Sequence, residues 1–178
     1  ADTEVLTTVE LWVDDIRLDN PLTQSGSSMA LDARLAAADV ADFSVNYVRQ
    51  DGLFQQIGRD PSYRTTGALI LGTNIRVDRF LPAGLGLSVP MSITHTSTSA
   101  NPILIGGTDI LAADIANLRQ PSSGLTQFNI AIRRTKRGTT VLERGLLDPL
   151  SLNAAYSTGQ TQTELSTGNT SATLFNLS

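Results

Sequence analysis

From Ser28 onward, apolar and polar residues alternate through much of the chain, a period of two that predicts strands with one dry and one wet face. In the first run Met29, Leu31, Ala33, Leu35 and Ala37 face one way, and Ser28, Ala30, Asp32, Arg34 and Ala36 the other. A short turn near Ala38 leads to residues 42–49, where Phe43, Val45 and Tyr47 oppose Ser44 and Asn46, so the two runs predict a β-hairpin. Leu69, Leu71, Ile75 and Val77 then alternate with Ile70, Gly72, Asn74 and Arg76. The cleanest run places Leu85, Leu87, Val89, Met91 and Ile93 against Gly86, Ser88, Pro90, Ser92 and Thr94. Pro90 removes a ladder donor in mid-run, which argues for an edge or a bulge. Phe128, Ile130 and Ile132 mark a further strand, Leu150, Leu152, Ala154 and Tyr156 another, and Phe175 with Leu177 a last one.

Ahead of these lies a different pattern. Val9, Leu11 and Val13 alternate, the phase slips at Asp14 and Asp15, and alternation resumes at Ile16 and Leu18, as one extra residue in a β-bulge would give. Asn20-Pro21 ends that strand, so residues 1–20 read as the terminal strand of a preceding β module, 21–27 as a linker, and 28–178 as a run of antiparallel strands. With eight extended segments and no convincing helix, the fold class is all-β. Long loops are expected at 50–65 and 97–124, the second holding a short helix near residues 109–118, while short turns fall near Ala38 and Arg79. Short turns on one side of a sheet and the longest loops on the other, with strands of about ten residues, are the habit of outer-membrane barrels. A soluble β-sandwich needs the same single dry face, so alternation leaves both open. Aromatics form 5% of the chain, fewer than two full aromatic girdles would use, although Tyr47, Phe80 and Tyr156 lie near strand ends.

Composition narrows the chemistry. The net charge is -4, with 13 basic and 17 acidic residues, so no basic field exists to hold nucleic acid. No cysteine is present, which excludes disulfides and thiolate metal sites. No apolar run approaches the roughly 20 residues of a membrane helix, which leaves a membrane barrel possible. The sequence begins without Met and stops inside an alternating run, so it is expected to be a piece of a longer protein. His95 is the single histidine, without a neighbouring acid or cysteine, and reads as an ordinary rim residue rather than a ligand or base. Glu10, Asp14, Asp15 and Asp19 could offer hard oxygen ligands to calcium but lack compact loop spacing, and a bulge or surface turn accounts for them better. Arg133, Arg134, Lys136 and Arg137 could attract anionic headgroups or a partner, against the simpler reading of a solvated strand end. No G-x-S-x-G, H-E-x-x-H or phosphate-binding loop occurs, so neither an enzyme nor a cofactor is expected.

Taken in order, several motifs resemble one family. Glu10, Leu11, Trp12, Val13, Asp14, Asp15, Ile16, Arg17 and Leu18 form E-L-W-V-D-D-I-R-L, and Phe80-Leu81-Pro82 runs into a strand ending Ser88, Val89, Pro90 and Met91. Asn101-Pro102, Thr108-Asp109-Ile110, residues 128–134 and Leu152-Asn153 with Tyr156 follow. Together they resemble the SprA (Sov) family, the outer-membrane translocon of the type IX secretion system. The resemblance implies a segment of a very large transmembrane β-barrel in the outer membrane of a Gram-negative bacterium, linked to gliding motility. It implies as partners outer-membrane lipid, secreted protein cargo and other secretion-system subunits. It implies also that the first strand closes a jelly-roll-like module, although that strand is similar as well to the last strand of carbohydrate-binding jelly rolls. Too few strands are present to enclose a wide pore.

On this reading Leu31, Leu35, Phe43, Val45, Leu87, Val89, Ile130 and Leu152 turn toward lipid, and Asp32, Arg34, Ser44, Asn46, Asn74, Arg76 and Ser92 toward a water-filled lumen. Val89→Arg is expected to block assembly and Ser92→Arg to be accepted. The alternatives are a soluble or surface β-sandwich that binds carbohydrate or protein, and another large outer-membrane porin or transporter barrel.

Overall fold

The computed structural model describes residues 25–105, 108, 110–141, 144, 148 and 151–177. The family-motif residues Glu10, Leu11, Trp12, Val13, Asp14, Asp15, Arg17 and Leu18, and with them the expected bulge and terminal module strand, lie outside the described residues. The described chain is all-β. Its strands are β1 (Ser28–Ala37), β2 (Ala41–Gln50), β3 (Arg64–Arg76), β4 (Leu87–Ser88), β5 (Pro90–Pro102), β6 (Ser122–Arg134), β7 (Ser151–Gln162) and β8 (Thr167–Leu177). They form one antiparallel sheet in the order β1-β2-β3-β5-β6-β7-β8, with β4 pairing β6, and the sheet is not closed. β1 and β8 are its edges.

The predicted hairpin forms as β1 and β2, joined at residues 38–40, where Ala38 takes φ 50° and Val40 N–H donates to Ala37 O at 3.1 Å. Arg79 and Asp39 form an ion pair that ties this turn to the 3-10 turn Val77–Phe80. The connections at 51–63 and 103–121 lie at the opposite end of the sheet and are shorter than the expected 50–65 and 97–124. They also bond to each other, Ile103 N–H donating to Tyr63 O at 2.8 Å. The asymmetry between the two ends is partial, because the long connection 135–150 sits with the short turns and the tight turn 163–166 with the long loops. The expected short helix near 109–118 is a 3-10 turn, Ala112–Asp114.

The strand expected through Pro90 is two strands in one register, since Ser88 pairs Arg133 and Met91 pairs Ile130. Val89 O accepts from Val77 N–H at 3.0 Å and Val89 N–H donates to Asp78 Oδ1 at 3.0 Å, so both groups of Val89 point away from β6. The next residue's nitrogen therefore faces β6. At Pro90 that nitrogen carries no hydrogen, and the ladder breaks there without a change of register.

Cross-strand partners share a face. On one face the register aligns Leu35, Phe43, Thr73, Ile93, Phe128, Tyr156 and Thr173; on the other it aligns Ala36, Asp42, Asn74, Ser92, Asn129, Ala155 and Leu174. The first face carries an apolar band, and the band slants. Met29 lies in the row of Arg49, Gly67, Ser99, Ser122, Gln162 and Thr167, so on β1 apolar character reaches that row. Moving toward the turns, the first apolar residues on that face are Tyr47 on β2, Leu69 on β3, Ile93 on β5, Phe128 on β6, Tyr156 on β7 and Phe175 on β8. From β1 to β8 the boundary thus shifts by roughly 27 Å along the strands over roughly 29 Å across them, a slope of roughly 40°.

The sheet curls toward its polar face, where residues from β2 to β8 together line a concavity of about 790 Å³. Its convex face is mostly uncovered: Leu35 is 65% exposed and Phe175 72%. Val89, expected among the outward apolar residues, departs from them. It is the buried apolar residue among the described residues, 5% exposed, where the Val77–Phe80 turn packs against β4 and the start of β5.

Candidate functional site

The strands bring all seven expected lumen residues onto the concave face. Asp32 pairs Asn46 and Arg34 pairs Ser44 across the hairpin, Asn74 pairs Ser92, and Arg76 pairs Pro90. Asn46 Nδ2 donates to Asp32 Oδ2 at 3.2 Å, and Arg34 Nε stands 3.7 Å from Asp32 Oδ1. Both partners of that ion pair are exposed, so it adds little to stability. Ser44 Oγ reaches Gly72 O at 3.5 Å, a long contact.

Asn74, Arg76 and Ser92 line the concavity, whereas Asp32, Arg34, Ser44 and Asn46 lie to one side of it. Asp39, Asp42, Asn129, Asn153 and Asn176 also line it and were not among the expected residues, beside apolar groups such as Ile130, Ala155 and Leu174. Each asparagine sits between apolar residues in its strand, in Phe128-Asn129-Ile130, Leu152-Asn153-Ala154 and Phe175-Asn176-Leu177. Alternation therefore marked them as clearly as it marked Asn74. Asn153 and Asn176 are direct cross-strand partners, and Ser92 links Asn74 to Asn129 in one row. The result is a belt of amide and hydroxyl groups interspersed with apolar side chains, with Asp39, Asp42 and Arg76 as its charges. Such groups can hydrogen-bond water along this face, and the lining side chains contain no nucleophile–base pair.

The remaining candidates are accounted for locally. His95 sits on the apolar face between Leu71 and Thr126, and its Nδ1 lies 2.8 Å from Thr126 Oγ1. Among the described residues no group of three His, Cys, Asp or Glu could hold a metal ion. Pro90 and Met91 open β5, and Met91 pairs Ile75 and Ile130 on the apolar side. In the loop after β2, the Ser27 hydroxyl donates to Asp51 Oδ2 at 2.7 Å, with the Ser27 backbone N–H at 3.1 Å. These bonds, with Arg49 beside them, hold the Asp51 carboxyl below its ordinary value.

Comparison with known proteins adds no relative: no family model matches the chain, and neither a curated protein nor a solved structure matches it.

Proposed function

We propose that this chain is a stretch of transmembrane β-barrel wall, its convex apolar face toward lipid and its concave polar face toward a water-filled lumen. The particular barrel proposed is an outer-membrane protein-conducting channel of the SprA (Sov) kind, exporting proteins from periplasm to cell surface in type IX secretion. No catalytic role is proposed.

The slant of the apolar band carries the barrel reading. Strands of such barrels tilt by about 35 to 45° from the membrane normal, so a level lipid boundary must step from strand to strand. The slope of roughly 40° obtained from register and apolar pattern falls in that range. Curvature supports the same reading, since a sheet wrapped around its own core turns its apolar side inward, whereas this one turns it outward. The edges support it too. β8, T-G-N-T-S-A-T-L-F-N-L, has neither charge nor proline to discourage pairing, and a neighbouring barrel strand would satisfy it. The choice of channel rests on the resemblance in the Trp12 strand and in Ser88-Val89-Pro90-Met91; another large porin or transporter would use the same wall.

One observation favours the β-sandwich that binds carbohydrate or protein. From Leu69 to Ile75 the apolar band runs roughly 20 Å along β3, or roughly 15 Å in height at this tilt, against about 25 Å in outer-membrane barrels. In that reading a second sheet covers the band. Fractionation of the source cells separates the two. A product far longer than 178 residues, recovered in detergent-extracted outer membrane, is expected; a soluble product of about this size would exclude the wall.

A further inference from the structure

We infer that the basic turn between β6 and β7 binds the phosphate of an anionic membrane lipid, an inference that rests on the membrane reading above. Arg134 pairs Leu87 and follows Ile132 on the apolar face, which places it one step past the band at the short-turn end. Arg134, Lys136, Arg137 and Arg144, with Asp148, line a concavity of about 570 Å³. Asp148 Oδ2 accepts from Gly138 N–H at 2.8 Å, and Asp148 Oδ1 stands 3.6 Å from Arg134 Nη1, an ion-pair distance too long for a hydrogen bond. Arg144 Nε donates to Gly138 O at 2.9 Å. Lys136 and Arg137 make no ion pair among the described residues. Glu143, in the same turn, lies outside the described residues; counting it, residues 134–148 hold 4 basic and 2 acidic side chains.

Apolar neighbours select a lipid over a soluble anion. Gly86 O accepts from Thr135 N–H at 2.7 Å, from Thr135 Oγ1 at 3.0 Å and from Lys136 N–H at 3.3 Å. This ties the basic turn to the turn carrying Phe80 and Leu85, which are 71% and 50% exposed. Cations with long apolar stems, on a turn bonded to one that exposes Phe80 and Leu85 and at the margin of an apolar band, fit the headgroup layer, where phosphate and acyl chain are both in reach.

The test presents the full-length protein that contains this chain to vesicles of phosphatidylcholine alone and of phosphatidylcholine with phosphatidylglycerol. About tenfold tighter association with the anionic vesicles is expected. It should vanish in Lys136→Glu with Arg137→Glu, and persist in Arg59→Glu with Arg64→Glu, the same charge change at the opposite end. Equal loss in both double variants would reduce the effect to net charge and overturn the site. Displacement by inorganic phosphate matched in concentration to the lipid would make it a free-anion site and overturn the lipid assignment. Insertion of each variant into neutral vesicles at the unmodified level shows that it folds; if the reversal does not insert, Lys136→Gln with Arg137→Gln gives the same readout. Failure of the unmodified full-length protein to insert into either vesicle defeats the membrane reading itself, which separates that failure from loss of the lipid preference alone.

Discussion

The half of the sheet near the turns and the half near the long loops share one ladder but differ in what holds them. Near the turns, Phe43, Leu71, Ile93 and Phe128 face one way and Ser44, Gly72, Ser92 and Asn129 the other. Near the loops β5 is polar on both faces: Ser97 and Ser99 on one, Thr96 and Thr98 on the other. Pairing nevertheless continues to Arg64 and Pro102, and Thr98 Oγ1 meets Ser123 Oγ at 2.8 Å. On the proposed membrane reading, covering the apolar face would stabilise the first half, at about 1.5 to 3 kcal/mol for each large apolar side chain. Backbone hydrogen bonds and the β preference of threonine hold the second. A charge should therefore be costly at one place and cheap at its neighbours.

The largest effect is expected from Ile93→Arg, Ser97→Arg and Ser92→Arg compared in the membrane-assembled protein. Arginine at Ile93, on the apolar side of the banded half, should cost about 2 to 4 kcal/mol of folded stability in lipid. Ser97, on the same side in the polar half, and Ser92, on the concave side, should each cost well under that, measured by denaturant titration in bilayers. Val89 is no longer a useful probe, because its burial predicts failure of Val89→Arg on any reading.

Gly86→Ala should come next. Gly86 has φ 57°, and a Cβ there would lie 2.2 Å from Lys136 Cβ, so the substitution should cost about 1 to 3 kcal/mol and strip exchange protection from the Thr135 amide. Pro90→Ala should act in the opposite direction. A restored N–H facing β6 should add a ladder bond worth about 0.5 to 1.5 kcal/mol, read as a newly protected amide at position 90. No gain in protection there would refute the account of the break between β4 and β5. The smallest effect lies at the loop end. Because the folded Asp51 carboxyl is held below its ordinary 3.8, its contribution is present above about pH 4 and is lost as pH falls through the folded value. Exchange at the Ser27 amide should accelerate over that acid range, and Asp51→Asn should remove the dependence.

The banded half was legible in the sequence because each of its strands alternates: β1, β2 and the faces of Ile93, Ile130, Leu152 and Phe175 fall where period two puts them. The loop end of β5 was not, since residues 97–101 lack an apolar face and fall in the expected loop 97–124, although they pair as strand. Alternation identifies a strand through its dry face, and these residues have none. The seven expected lumen residues do share one face of the sheet, while Asn129, Asn153 and Asn176 carried the same signal on strands from which no polar residue had been selected. The slant of the band needed the register, because only cross-strand pairing reveals that Met29 and Phe175 mark one boundary.

The most direct measurement uses the absence of native cysteine. Single variants Ile93→Cys and Ser92→Cys, adjacent in sequence and opposite in face, would carry a fluorescent label in the membrane-assembled protein. The lipid-facing account predicts quenching at position 93 by brominated acyl chains and at position 92 by aqueous iodide. Equal aqueous quenching at both positions, or the reverse assignment, would contradict it.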